Sequence, residues 1–97
     1  MKEREVEAYL VKSVRALGGE CRKVEWIGRR GAPDRLVMLP LSGRSGRWSS
    51  SRTIWVELKA PGEKAKPHQK REHDRMRAMG QLVVVIDSLE GVSELLA

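Results

Sequence analysis

The amino-acid sequence predicts a single α/β domain over residues 1–97, in which one mixed sheet is flanked by helices. Three observations predict this class. Apolar residues recur at helical spacing near the start of the chain, two later segments are rich in branched and other apolar residues, and an apolar run of strand length follows a second helical segment. The predicted order is therefore helix, three strands, helix, strand and a short C-terminal helix.

The first half of the chain is predicted to form one helix and three strands. The helix spans Glu3–Leu17, because apolar residues recur every three or four positions and a pair of glycines follows. The roughly alternating segment Glu20–Ile27 predicts the first strand. The segments Asp34–Leu39 and Thr53–Lys59 are the clearest strands, and we expect them to pair as an antiparallel hairpin.

The second half of the chain is predicted to complete a βαβ unit. Pro67 suits the first turn of a helix that runs to Met79. The apolar run Leu82–Ile86 predicts a strand that is buried on both faces and central in the sheet. The connection from the strand Thr53–Lys59 through this helix to the strand Leu82–Ile86 has the length of a βαβ crossover, which we expect to be right-handed. The segment Leu41–Arg52, rich in glycine, serine and arginine, is expected to form a flexible basic loop.

Composition favours a polyanionic partner. The chain has 19 Lys and Arg residues against 13 Asp and Glu, which gives a formal net charge of +6 and a pI near 10. Such a charge attracts nucleic acid, although solubility alone also accounts for it. The single Cys21 forms no internal disulfide and fits a reducing compartment. With a polar N-terminus and no apolar run near the ~20 residues that span a membrane, we expect a cytoplasmic protein without a membrane partner.

Two carboxylates and a lysine are expected to meet at one end of the predicted hairpin. Glu57 and Lys59 lie two residues apart on a strand and therefore share a face. If the hairpin is symmetric about its loop, Asp34 lies across from them, at a Cβ separation of about 4.5 to 5.5 Å. Such a pair of carboxylates suits Mg²⁺ or Mn²⁺, hard ions that prefer oxygen ligands. The spacing alone is equally compatible with an exposed strand pair and an unrelated turn residue.

An ordered set of short motifs extends this pattern. The motifs are Gly31-x-Pro33-Asp34, Glu57-Leu58-Lys59, Ala60-Pro61-Gly62 and, in the next helix, Gln69. With the leading helix and its glutamates and the strand Leu82–Asp87, the set covers nearly the whole chain. Together they resemble the VRR-NUC family of the PD-(D/E)XK nuclease superfamily. The resemblance implies a restriction-endonuclease-like core and phosphodiester hydrolysis that depends on Mg²⁺ or Mn²⁺.

The resemblance also implies a role for each motif residue. Asp34 and Glu57 are expected to bind the metal, with the backbone carbonyl of Leu58 as a further ligand. Lys59 is expected to be the catalytic lysine. Gln69 is expected to face the sheet, where it orients a metal-bound water or contacts the substrate. Without the resemblance, Gln69 is predicted to be a buried hydrogen-bonding residue.

The superfamily places a further metal-binding glutamate on the first helix, where this sequence has two candidates. Glu7 is predicted, because its spacing to Gly18 resembles that of archaeal Holliday-junction resolvases. Glu3 stays open as the alternative, because it falls within the apolar stripe of the same helix.

Seven basic residues near the proposed metal site are predicted to contact a nucleic-acid backbone. They are Arg29, Arg30, Arg35, Arg44, Arg47, Lys64 and Lys66. The resemblance implies a structure-selective DNA endonuclease of phage type that acts as a homodimer on four-way junctions, without a small-molecule substrate, in a bacterial or phage-infected cell. The alternatives are a basic nucleic-acid-binding module without catalysis and a nuclease of the same chemistry that acts on other DNA or RNA structures.

Overall fold

A computed structural model describes residues 1–40 and 53–97, and it confirms the predicted order of elements. The predicted basic loop lies outside the described residues, and so do Arg44 and Arg47 within it. The elements are α1 (Glu3–Ala16), β1 (Glu20–Lys23), β2 (Arg35–Met38), β3 (Thr53–Leu58), α2 (Pro67–Ala78), β4 (Val83–Ile86) and α3 (Leu89–Leu96). None of the helices in the described residues is long and apolar enough to cross a membrane.

The four strands form one mixed sheet in the order β1-β2-β3-β4. β2 and β3 pair as the predicted antiparallel hairpin, and β3 pairs with β4 in parallel, as expected of a βαβ unit. The prediction that the Leu82–Ile86 run is central was wrong, because β4 lies at one end of the described sheet. The apolar residues of β4 are explained by the helices that pack on this strand rather than by a neighbouring strand on each side. One of them, Val85, is exposed.

The first strand is shorter than predicted. It ends at Lys23, whereas the alternation of the sequence continues to Ile27. The Val24 N–H extends the pairing with the second strand by one position, since it donates to the Asp34 carbonyl at 2.9 Å. Beyond Val24 a side-chain bond replaces the backbone pairing, because the Trp26 indole N–H donates to the Pro33 carbonyl at 2.7 Å. These bonds close a loop between β1 and β2 that leads directly to Asp34.

The hydrophobic core lies between one face of the sheet and the helices α1 and α3. α1 contributes the buried stripe predicted from its helical spacing, and alternate residues of β3 point toward it, also as predicted. Burying each of these side chains stabilises the fold by about 1.5 to 3 kcal/mol. The core residues of these two elements are Val6, Leu10, Val14, Ile54, Val56 and Leu58.

α2 packs against the other face of the sheet, where buried polar side chains lie on the same face as the buried Val83. His73 of α2 is 1% exposed, and its Nε2 lies 3.5 Å from Oε1 of Glu57 on β3. Glu72, on the same helix, is also buried. The alternation of β3 therefore sends its apolar residues to the core and brings Glu57 beneath α2.

Candidate active site

The register of the β2–β3 hairpin places the two predicted carboxylates side by side. Arg35 is paired with Val56, so one further step along each strand sets Asp34 opposite Glu57. Residues directly opposite each other on antiparallel strands project to the same face. Since Arg35 and Val56 point to the core face, Asp34 and Glu57 point to the face on which α2 lies. The predicted juxtaposition therefore follows from the observed pairing.

Glu57 is a carboxylate in an unfavourable environment. It is 8% exposed, and burial together with the charge of Asp34 raises its pKa from 4.5 to about 7. Lys59 opposes this rise, Glu3 adds to it, and Arg35 lowers the pKa again. At neutral pH this position is therefore poorly matched to a carboxylate alone, and a nearby cation would stabilise the ionised form.

Two buried polar atoms on either side of Glu57 have no hydrogen-bond partner among the described residues. They are Oδ1 of Asp34 and Nε2 of His73. Burial is the largest cause that lowers the pKa of His73, so its imidazole is neutral at physiological pH. The sequence patterns did not link His73 to Glu57. Its spacing of four residues from Gln69 was the signal that could have done so.

Arg35 crosses from the core face toward Asp34 and joins the first helix to the site. Its buried guanidinium donates through Nη2 to Oε2 of Glu7, and its Nη1 lies 3.1 Å from Oδ2 of Asp34. The role of Arg35 in nucleic-acid binding stays a prediction, but its donors are already engaged by two carboxylates. Glu7 reaches the site through this arginine, whereas Glu3 acts on the pKa of Glu57 by its charge.

The remaining motif residues have fixed backbone positions. The Lys59 N–H donates to the Ile86 carbonyl at 2.9 Å, so the end of β3 is tied to β4. Leu58 is buried and Lys59 is half-buried. Gln69, also half-buried, accepts through Oε1 a hydrogen bond of 2.8 Å from the Lys66 N–H and thereby caps the start of α2. Its side-chain NH₂ group is left to donate elsewhere.

Some of the residues predicted to contact nucleic acid are hydrogen-bonded to a carboxylate of the protein, and others are exposed. Arg29 forms two hydrogen bonds to Glu72, of 2.7 and 2.9 Å, and this pair fastens the β1–β2 loop to α2. These bonds hold the pKa of Glu72 down at about 2, although its burial acts in the opposite direction. Arg30, Lys64 and Lys66 are exposed. Sequence reasoning missed Glu72, because nothing in a run of alternating charges marks one glutamate as buried.

The donor set fits a hard divalent cation. Within the described residues, no group of three or more His, Cys, Asp or Glu side chains is arranged to hold a metal ion. Two neighbouring carboxylates are nevertheless present, one with a raised pKa and the other with an unpaired buried oxygen. Oxygen donors of this kind are those that Mg²⁺ accepts while retaining several waters, so a full protein cage is not required.

A mixed α/β sheet with two neighbouring carboxylates followed by a lysine is the arrangement of a nuclease of the PD-(D/E)XK type, and comparisons with known proteins agree. A solved structure described as "VRR_NUC domain" matches with a TM-score of 0.79 and 40% identity, covering 98% of this chain and 94% of that chain. The "Putative nuclease p44" of Acyrthosiphon pisum secondary endosymbiont phage 1 is 47% identical over 88 residues, which are 91% of this chain and 85% of the relative. No family model matches. The chain belongs to the VRR_NUC family, and its fold and its phage relative together support nuclease function.

Proposed function

We propose that the protein is a metal-dependent endonuclease that hydrolyses phosphodiester bonds in branched DNA, using Mg²⁺ or Mn²⁺. The observation that carries the proposal is the pairing of Asp34 with Glu57, in which burial and mutual repulsion raise the pKa of Glu57 to about 7. Strand pairing alone gives no reason to bury the Glu57 carboxylate beside a second carboxylate. A divalent cation between them supplies that reason.

Asp34, Glu57 and the carbonyl of Leu58 would hold the cation. When bound, it would lower the pKa of a coordinated water and neutralise charge on the phosphate. Lys59 projects from the same strand face as Glu57 and brings a positive charge to the developing negative charge of the phosphate. The NH₂ group of Gln69 is free to donate to a phosphate oxygen, because its Oε1 is occupied by the helix cap.

A set of three variants identifies the ligand from the first helix. Glu7→Gln, Glu3→Gln and the double variant Glu7→Gln with Arg35→Gln are compared by Mn²⁺ binding, measured by electron paramagnetic resonance. If Glu7 serves only to hold Arg35, the double variant recovers the affinity that Glu7→Gln loses, and Glu3→Gln loses about tenfold or more. If Glu7 is the ligand, as the sequence predicts, the double variant stays weak.

Branched DNA and a homodimer are proposed from the resemblance and from three supporting features. The net charge of +6 favours a polyanion, and Arg30, Lys64 and Lys66 are exposed on loops beside the site. A dimer would present two sites to two of the four strands of a four-way junction. Trp26 and Trp55, whose ring centroids are 5.1 Å apart, are only partly buried and leave apolar surface for a second subunit. The phage relative supports action in the cytoplasm of a bacterial or phage-infected cell.

The test is cleavage of labelled four-way junction, flap, linear duplex and stem-loop RNA with Mg²⁺ or Mn²⁺. Asp34→Asn and Lys59→Ala are each expected to lower the cleavage rate at least about a hundredfold. Asp74→Asn and Lys12→Ala change exposed residues of the same types and should leave the rate unchanged. Cleavage that survives both site variants contradicts the proposal. Tight binding without cleavage under either metal favours a non-catalytic binding module, in which Arg35 alone neutralises Asp34.

A further inference from the structure

Ile27 lies at the tip of the β1–β2 loop, residues 24–34, and is 99% exposed. Single exposed apolar residues are common on proteins and usually require no explanation. This one is unusual in position. A β-branched residue occupies a turn, where glycine, asparagine and aspartate are favoured, and Gly28 beside it takes a positive φ of 74° with open space around it. The turn therefore holds the isoleucine side chain away from the protein.

The loop beneath Ile27 is anchored on both sides. On one side, the Trp26 indole donates to the Pro33 carbonyl at 2.7 Å, and its ring packs against Trp55 of β3. On the other side, Arg29 forms its two hydrogen bonds to the buried Glu72. The exposed tip is thus part of a braced loop, and the base of that loop is bonded to the residue before Asp34.

A further contact seats the loop against the first turn of α2. Gly31 has a positive φ of 86°, and a Cβ built on it would lie 2.9 Å from the His68 carbonyl. This close approach brings Arg30 next to His68. The charges of Arg30, Lys66 and Arg71 all lower the pKa of His68, as does burial, which is the largest cause. The loop and the helix therefore meet in a group of like charges.

These cations have no counterions among the described residues. Arg30, Lys66 and Arg71 are exposed and take part in none of the ion pairs found there, unlike Arg29, Arg75 and Arg77. Like charges held together without partners repel one another, and a bound polyanion relieves that repulsion. Ile27 lies on the same loop as Arg30, and that loop leads to Asp34, so one braced segment carries both a cation for the phosphate backbone and an exposed apolar group able to enter a base stack.

We propose that Ile27 is a wedge that inserts between bases where the stacking of DNA is interrupted, while Arg30, Lys66 and Arg71 hold the adjacent phosphates. This inference rests on the proposed function and assigns its structure selectivity to one side chain. Apolar side chains that enter between base steps must unstack them, and this costs least where a branch has already broken the stack. The braced loop then fixes the distance from the branch to Asp34, so the position of the branch determines the position of cleavage.

The first experiment measures unstacking and binding with Ca²⁺ in place of Mg²⁺. A four-way junction and a linear duplex each carry 2-aminopurine, at the branch point or at mid-duplex. Wild-type protein should increase the fluorescence at the branch, and Ile27→Ala should lose this increase. The variant should also lose about tenfold in the ratio of junction to duplex affinity, with duplex affinity unchanged. Met79→Ala, a matched control at a residue that is 78% exposed, should retain both properties.

The second experiment separates the wedge from the charges. Arg30→Gln and Arg71→Gln should weaken binding to junction and duplex alike and reduce the slope of log affinity against log salt by about one each. Ile27→Ala should leave that slope unchanged. Equal loss of selectivity in the charge variants and in Ile27→Ala would assign selectivity to electrostatics and overturn the wedge.

Three results distinguish failure of this inference from failure of the proposed function. Wild-type protein that cleaves junctions selectively, together with an Ile27→Ala variant that does so equally well, overturns the wedge alone. Loss of the dimer by Ile27→Ala in analytical ultracentrifugation overturns it as well, because the side chain is then a subunit contact. Wild-type protein that neither binds nor cleaves DNA overturns both. The melting temperature of Ile27→Ala should equal that of wild type, since the side chain makes no buried contacts.

Discussion

Replacing Glu57 by glutamine should stabilise the metal-free protein while it abolishes cleavage. Burial and Asp34 raise the pKa of Glu57 from 4.5 to about 7, so between these two values the folded protein binds a proton that the unfolded chain has released. Stability therefore falls as the pH rises through this window. A rise of this size corresponds to about 3 kcal/mol at pH 8, and glutamine, which has no charge to bury, avoids that cost.

The measurement is thermal unfolding of wild type and Glu57→Gln in EDTA at pH 4.5 and pH 8. For a domain of this size, about 3 kcal/mol corresponds to a difference in Tm of roughly 12 to 24 °C at pH 8, and the difference should vanish at pH 4.5. Glu25→Gln, at an exposed position, should show no such difference. Added Mn²⁺ should raise the Tm of wild type and leave Glu57→Gln unchanged. A variant no more stable than wild type at pH 8 would refute the claim that burial and repulsion strain this carboxylate.

Three further predictions concern α2 and the loop packed on it. Glu72→Gln should destabilise the fold by about 2 kcal/mol at pH 7 in urea unfolding, because two charged hydrogen bonds from Arg29 are weakened. Since the pKa of Glu72 is depressed, this loss of stability should disappear as the pH falls from 4.5 toward 2. Gly31→Ala should lower the free energy of unfolding by about 1 to 3 kcal/mol in the same measurement, because alanine at a φ of 86° is strained and its Cβ meets the His68 carbonyl. An unchanged midpoint of urea unfolding would show that the β1–β2 loop does not pack against His68. Burial should lower the pKa of His73 below the usual 6.5, which is measured by following its C–H proton shifts against pH in NMR, and a titration at or above 6.5 would contradict its burial.

Most of the fold follows from local patterns in the sequence. Helical spacing is enough to locate α1 and α2, and alternation along β3 is enough to separate core residues from site residues. The pattern failed where tertiary contacts decide. The apolar composition of β4 resembles that of a central strand, but composition does not reveal whether strands or helices cover it. The end of β1 depends on the hydrogen bond from Trp26 to Pro33, which no local propensity encodes.

Part of the geometry of the candidate site also follows from local patterns. Residue spacing and hairpin symmetry were enough to bring Asp34 beside Glu57, because register is a consequence of pairing. The partners of the arginines were not predictable. Arg29 and Arg35 look alike in sequence, as basic residues near the motif, and each is held by a glutamate. Such long-range ion pairs depend on which helices and strands pack together. The spacing of residues in the sequence does not indicate this packing.

The direction of the hairpin has a consequence for how such enzymes diverge. β2 and β3 are joined through the chain that leaves Met38 and returns at Thr53, whereas Asp34 and Glu57 occupy the opposite end of the same two strands. Closing a longer connection costs only about 0.6 kcal/mol for each doubling of its length. Segments of different size can therefore be exchanged between these strands without moving the two carboxylates. Strand pairing holds the end that carries Asp34 and Glu57 constant, whereas the joined end can accept insertions at little cost in stability.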